Sequence, residues 1–157
     1  MRKRIIEQPS QVSTAPAGDW LKVEHLARVE TTSEDPAHPI ESALIPGAGA
    51  GWRAAQSGKQ IIRLVFDQAL ALRRILLMFE EEERARTQEF ALHWLAEGEK
   101  SYREIVRQQF NFSPPSTMHE IEDYSVDLDR LTALELTIVP DISKGNARAS
   151  LKQLLVA

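Results

Sequence analysis

Two glycine-containing segments have the residue types of nucleotide-binding motifs. Gly47–Gly51 has the opening spacing of a dinucleotide-binding loop, but Trp52 stands where the third glycine is required, and a strand follows instead of a helix. Gly58-Lys59 is not a phosphate-binding loop, because Arg53 replaces the upstream glycine and Gln60 replaces the hydroxyl that would bind Mg²⁺. We therefore interpret both segments as turns.

Histidines and glutamates are the remaining candidates for catalysis or metal binding. The four histidines are scattered and form no HExxH pair; they are His25, His38, His93 and His119. Glu80–Glu83 is a contiguous run, which cannot supply the two separate environments, about 5–9.5 Å apart, of a glycoside hydrolase acid-base pair. There is also no GxSxG nucleophile motif. The sequence predicts a protein that is not an enzyme, with no metal site and no cofactor, and a solvated acidic loop.

Alternating apolar residues predict the strands that would position polar side chains. Such alternation occurs at Ile62–Phe66, Phe90–Trp94 and Leu134–Ile138. The predicted strands cover about residues 22–31, 60–66, 72–79, 87–95, 102–111, 117–128, 132–139 and 150–156, and a further strand begins at Trp52. Residues 67–100 are rich in good helix formers, so the pattern alone leaves a helical reading open there.

Composition limits the class of protein. A chain of 157 residues with 43% hydrophobic content suits one domain, which we place at residues 20–157, after an irregular lead-in at residues 1–19. The formal net charge of -4 argues against a broad nucleic-acid-binding surface. The chain has no cysteine and therefore no disulfide framework. Because the basic start is not followed by an apolar region, and no apolar run approaches about 20 residues, we expect a cytoplasmic protein without membrane association.

Both ends of the predicted domain resemble discoidin domains, also called coagulation-factor type C domains. The similarity at the start lies in Ser33-Glu34, Ala37–Leu44 and Gly51–Ala55, and at the end in Leu134–Asp141 and Ala149–Leu151. The resemblance implies an all-β fold: a galactose-binding-like jelly-roll β-sandwich of about eight mainly antiparallel strands. In this family a Ca²⁺ often occupies the loop before the tryptophan, but here that loop contains no acid, so we expect no calcium site.

The resemblance implies recognition without catalysis. We expect a bacterial, stand-alone module that binds a carbohydrate through its apical loops. The alternative is an intracellular docking domain for a protein or a nucleic-acid end, since Trp52–Ala55 and Gly58 also resemble the amino-terminal domain of the X-ray repair cross-complementing scaffold protein. The acidity of the chain argues against nucleic acid, and the missing secretion signal argues against extracellular glycans. Carbohydrate and protein both remain candidate ligands, and the oligomeric state is not predicted.

Four polar side chains are the candidate ligand contacts. His38 lies in the loop that forms the binding rim of similar sugar-binding modules, and the Arg53 guanidinium could donate paired hydrogen bonds to hydroxyls or an anion. An ion pair between Arg53 and an acidic neighbour such as Glu41 is the alternative. Arg107 and Asn111 would lie beside aromatic side chains on a second platform. Trp52 is expected to be a structural anchor packed beneath the loops.

Overall fold

The computed structural model describes residues 19–47 and 49–157. The predicted lead-in at residues 1–19 therefore lies outside the described residues, apart from Asp19. In chain order the elements are α1 (Val23–Leu26), β1 (Ala27–Thr31), α2 (Glu41–Leu44), β2 (Trp52–Ser57), β3 (Gln60–Glu80), β4 (Arg86–Ala96), β5 (Arg103–Phe112), β6 (His119–Val139), β7 (Arg148–Leu151) and β8 (Gln153–Val156). Neither helix is long and apolar enough to cross a membrane.

The strands form an antiparallel β-sandwich, which confirms the predicted fold class. One sheet has the strand order β1-β3-β6-β4-β5, and β8 also pairs with β3. Strands β2 and β7 form a separate two-stranded antiparallel ribbon. The helical reading of residues 67–100 is wrong, because long-range strand pairing overrides the helix propensity of that segment.

Two strands, β3 and β6, are each 21 residues long and pair with each other along most of their length. The first part of β3 pairs with β1 and its last part pairs with β8, while β6 follows β3 along its length. The pairing of β3 with β6 shifts register between Val65 and Arg74, and Arg130 has a positive φ of 54° at the corresponding bend of β6. Bulges of this kind let a strand pass from one sheet to the other. Each long strand was predicted as two, because the bend interrupts the alternation. The predicted strand 22–31 was also too long, since it begins with α1.

The core lies between the two layers and consists of the inward residues of the alternating strands. Ile62, Leu64 and Phe90 are at most 1% exposed, and the rings of Phe79 and Phe90 stack with centroids 5.3 Å apart. A few polar side chains are buried with them, among them Arg86 and Glu120. Because burying a charge without a partner is costly, both side chains should be hydrogen-bonded within the protein.

Candidate functional site

A cleft of about 270 Å³ opens between the β2–β7 ribbon and the connection from β3 to β4. We call it the rim cleft and define it by His38, Arg53, Glu80–Glu83, Arg148 and Lys152. One wall, the ribbon, is basic. The facing wall, formed by the glutamates, is acidic.

Strand alternation produces the basic wall. Trp52 pairs with Leu151, and both side chains are 1% exposed because they point into the core. Arg53 pairs with Ser150 and points the other way. Arg148 on β7 and Lys152, the residue that follows β7, also line the cleft. The ribbon therefore buries an apolar face and presents its cationic side chains to the rim cleft.

Trp52 fixes the ribbon to the preceding loop. Its indole Nε1–H donates a hydrogen bond to the backbone oxygen of Ser33, at 3.1 Å. Gly51 comes immediately before it with φ +87°, and a Cβ at that position would lie 2.5 Å from the backbone oxygen of Leu151. Only glycine allows these two segments of the backbone to approach so closely.

Backbone hydrogen bonds bring His38 to Arg53. The amide of Arg53 donates to the oxygen of His38 at 3.2 Å, and the amide of Asp35 donates to the oxygen of Arg53 at 2.8 Å. The His38 Nδ1 lies 3.9 Å from an Asp35 carboxylate oxygen. Two residues that are 15 positions apart in sequence are thus fixed beside the same cleft.

Two of the four glutamates of the acidic wall, Glu80 and Glu81, have partners within the protein. Glu81 accepts a hydrogen bond from Arg86 Nε at 2.6 Å and another from the amide of Glu83 at 3.0 Å. Burial would raise the pKa of Glu81, but these hydrogen bonds hold it below its usual value. Glu80 lies 3.8 Å from His119 Nδ1, and its hydrogen bond with Glu82 raises the pKa of Glu82. The acidic run is therefore more than the solvated loop that the sequence predicts: Glu80 and Glu81 are half-buried, whereas Glu82 and Glu83 are exposed.

Arg86 connects this wall to the interior. Its Nη1 donates to the backbone oxygen of Pro140 at 2.7 Å and to Gln88 at 3.2 Å, and its guanidinium lies 4.7 Å from the centroid of Phe112. Gln88 in turn donates to Glu120 at 3.3 Å. Burial, and then the charge of Glu122, raise the pKa of Glu120 to about 7.

The basic wall has less internal compensation. Within the described part of the chain, no carboxylate forms an ion pair with Arg53 or Arg148, so the alternative pairing of Arg53 with Glu41 is absent from this structure. The ammonium group of Lys152 acts electrostatically on Glu82. By contrast, carboxylates contact the guanidinium groups of most other arginines, namely Arg28, Arg63, Arg73, Arg74, Arg86, Arg103 and Arg107.

Arg107 and Asn111 lie outside the rim cleft. Arg107 is paired with Glu104 at 2.8 Å and lies 3.7 Å from Glu89 across the strand pair. The Asn111 side-chain oxygen accepts a hydrogen bond from Thr87 Oγ1 at 2.6 Å, and Asn111 lines a second, shallow depression. The structure brings together His38 and Arg53 but separates them from the other two candidates.

Sequence reasoning missed Arg148, Lys152 and the glutamate wall as parts of one site. The alternation Arg148-Ala149-Ser150-Leu151-Lys152 indicates an outward polar face, so this signal was available. The position of Glu80 opposite that face depends on long-range pairing and has no local signal. Among the described residues, no group of three or more histidines and acids is arranged to hold a metal ion.

Comparison with known proteins identifies the fold. No protein-family model matches the chain, and no curated protein sequence does so either. The family 32 carbohydrate-binding module of C. perfringens NanJ, solved with galactose, superposes with a TM-score of 0.63 at 12% identity, over 87% of this chain and 96% of that one. An F5/8 type C domain from Bacteroides fragilis superposes with a TM-score of 0.60 at 10% identity, over 89% of this chain and 97% of that one. Reduced XRCC1, solved bound to the catalytic domain of DNA polymerase β, superposes with a TM-score of 0.56 at 14% identity, over 84% of this chain and 96% of that one. The chain therefore has the β-sandwich fold of these domains, the fold class that its resemblance to discoidin domains predicts.

Proposed function

We propose that this protein is a non-catalytic carbohydrate-binding module and that the rim cleft holds the sugar. The fold is shared with a module that was solved with galactose. The observation that carries the proposal is the pairing of Arg53 with His38 at the rim cleft through backbone hydrogen bonds.

The two walls suit a hydroxyl-rich ligand. A sugar hydroxyl both donates and accepts hydrogen bonds. The guanidinium groups of Arg53 and Arg148 can only donate, whereas the carboxylates of Glu80 and Glu83 accept. A sugar between the walls would therefore find donors on one side and acceptors on the other.

Stacking contributes little in this site. Trp52 is the only tryptophan, tyrosine or phenylalanine among the described residues that line the cleft, and its ring is 1% exposed. It therefore supports the ribbon and does not offer a ring face to the ligand. Binding would depend on hydrogen bonds, and these are sensitive to the loss of a single donor.

The test is a glycan array probed with the whole chain, followed by calorimetric titration with the best ligand. Arg53→Ala should abolish binding and change the free energy of unfolding by no more than about 0.5 kcal/mol, because the side chain is exposed. Lys100→Ala is the control, since Lys100 is exposed on the β4–β5 connection and does not line the cleft. Normal sugar binding by Arg53→Ala would show that this cleft is not the site.

A further inference from the structure

The charges of the rim cleft are compensated unequally. On the acidic wall, two of the four glutamates have a partner: Glu81 pairs with Arg86, and Glu80 lies 3.8 Å from His119. On the basic wall, the guanidinium groups of Arg53 and Arg148 have no ion-pair partner in the described part of the chain. The formal net charge of -4 means that acidic residues outnumber basic ones, so these arginines are not unpaired for lack of carboxylates in the chain.

The two arginines share one face of the β2–β7 ribbon. Arg53 pairs with Ser150, and Arg148 precedes Ser150 by two positions and therefore lies on the same side of its strand. Lys152 follows on that side and also lines the cleft. Arginine donates in a planar fork that matches the two oxygens of a carboxylate, and such charge-assisted bonds are stronger than bonds to a neutral hydroxyl.

We propose that the rim cleft selects a saccharide bearing an anionic group, and that Arg53 and Arg148 bind this group. The inference rests on the proposed carbohydrate-binding function and adds the ligand class. A uronic acid carboxylate and a sulfate ester would both supply the anionic oxygens, and the experiment separates them. The sugar hydroxyls would face the glutamate wall.

The test compares charged ligands with their neutral counterparts. Trigalacturonate and its fully methyl-esterified form are one pair, galactose 6-sulfate and galactose are the other, and all four are titrated by calorimetry into the full chain. The acid should bind at least about tenfold more tightly than the ester, because the charge-assisted bonds are lost in the ester. Raising the salt concentration should weaken binding of the acid more than binding of the ester. If galactose 6-sulfate binds tightly and the acid binds no better than the ester, the site is specific for sulfate. If both anionic ligands bind more tightly than their neutral counterparts, by similar factors, the site accepts anionic sugars in general.

Variants locate the effect. Arg53→Gln and Arg148→Gln should each remove most of the advantage of the acid over the ester, whereas Lys100→Gln, which removes one charge away from the cleft, should preserve it. Thermal melting of each variant checks that it folds. If ester and acid bind equally, and the sulfate no better than neutral galactose, the anionic preference is wrong and the carbohydrate-binding function stands. If none of these ligands and no neutral glycan on the array binds, the proposed function fails as well.

Discussion

Replacing Glu120 with glutamine should make the stability of the protein less dependent on pH. Glu120 is 1% exposed; one carboxyl oxygen accepts from Gln88, and the other has no hydrogen-bond partner among the described residues. Burial, followed by the charge of Glu122, raises its pKa from the usual 4.5 to about 7. The folded protein therefore holds a proton that the unfolded chain has already released.

The sign and the size of the effect follow from this difference. Between pH 4.5 and about 7, unfolding releases a proton, so the free energy of unfolding falls as the pH rises. Each pH unit in that interval is worth about 1.4 kcal/mol, which gives a total loss of about 3 kcal/mol. The Glu120→Gln variant resembles the protonated carboxyl and has no proton to release. It should match the wild type near pH 5 and be about 3 kcal/mol more stable at pH 8.

Urea unfolding followed by tryptophan fluorescence at pH 5, 6, 7 and 8 would measure this difference. Titrating groups that do not interact with Glu120 affect both proteins equally, so the quantity to plot is the difference between variant and wild type. Glu97→Gln, at an exposed position on the β4–β5 connection, is the control and should give a flat line. A flat line for Glu120→Gln would refute the assignment of a raised pKa to this buried carboxyl.

Three further predictions concern the scaffold around the cleft. Trp52→Ala should lower the free energy of unfolding by about 3–5 kcal/mol, because it removes a large, fully buried ring; differential scanning calorimetry would measure it, and a melting temperature close to wild type would contradict the anchoring role. Gly51→Ala should destabilise the protein by about 1–3 kcal/mol or more, since the added Cβ meets the Leu151 oxygen at 2.5 Å. Gly98→Ala is the matched control in the same measurement: its φ is also positive, at +81°, but nothing lies within 4 Å, so an equal loss would show that the contact is unimportant. EDTA should leave the melting temperature unchanged, because the loop from Ala43 to Gly51 contains no acid; a fall that Ca²⁺ reverses would show that carbonyl ligands suffice.

The sequence by itself determined the fold class and the main inward-facing residues. Alternation at Ile62–Phe66, Phe90–Trp94 and Leu134–Ile138 corresponds to neighbouring strands with buried apolar faces. This prediction succeeds because the side-chain period of a strand is a local property that a short window contains. The resemblance to discoidin domains then supplied the architecture.

Only the tertiary structure decided where the charged side chains meet. Trp52 pairs with Leu151, about a hundred positions along the chain, and this pairing turns Arg53 and Arg148 toward the same cleft. The bend of β3 places Glu80 opposite them, whereas Arg107 is paired elsewhere. These positions depend on register between distant strands, and a shift of one residue would turn each side chain to the other face. A local pattern can therefore show that a residue faces outward, but not which residue it faces.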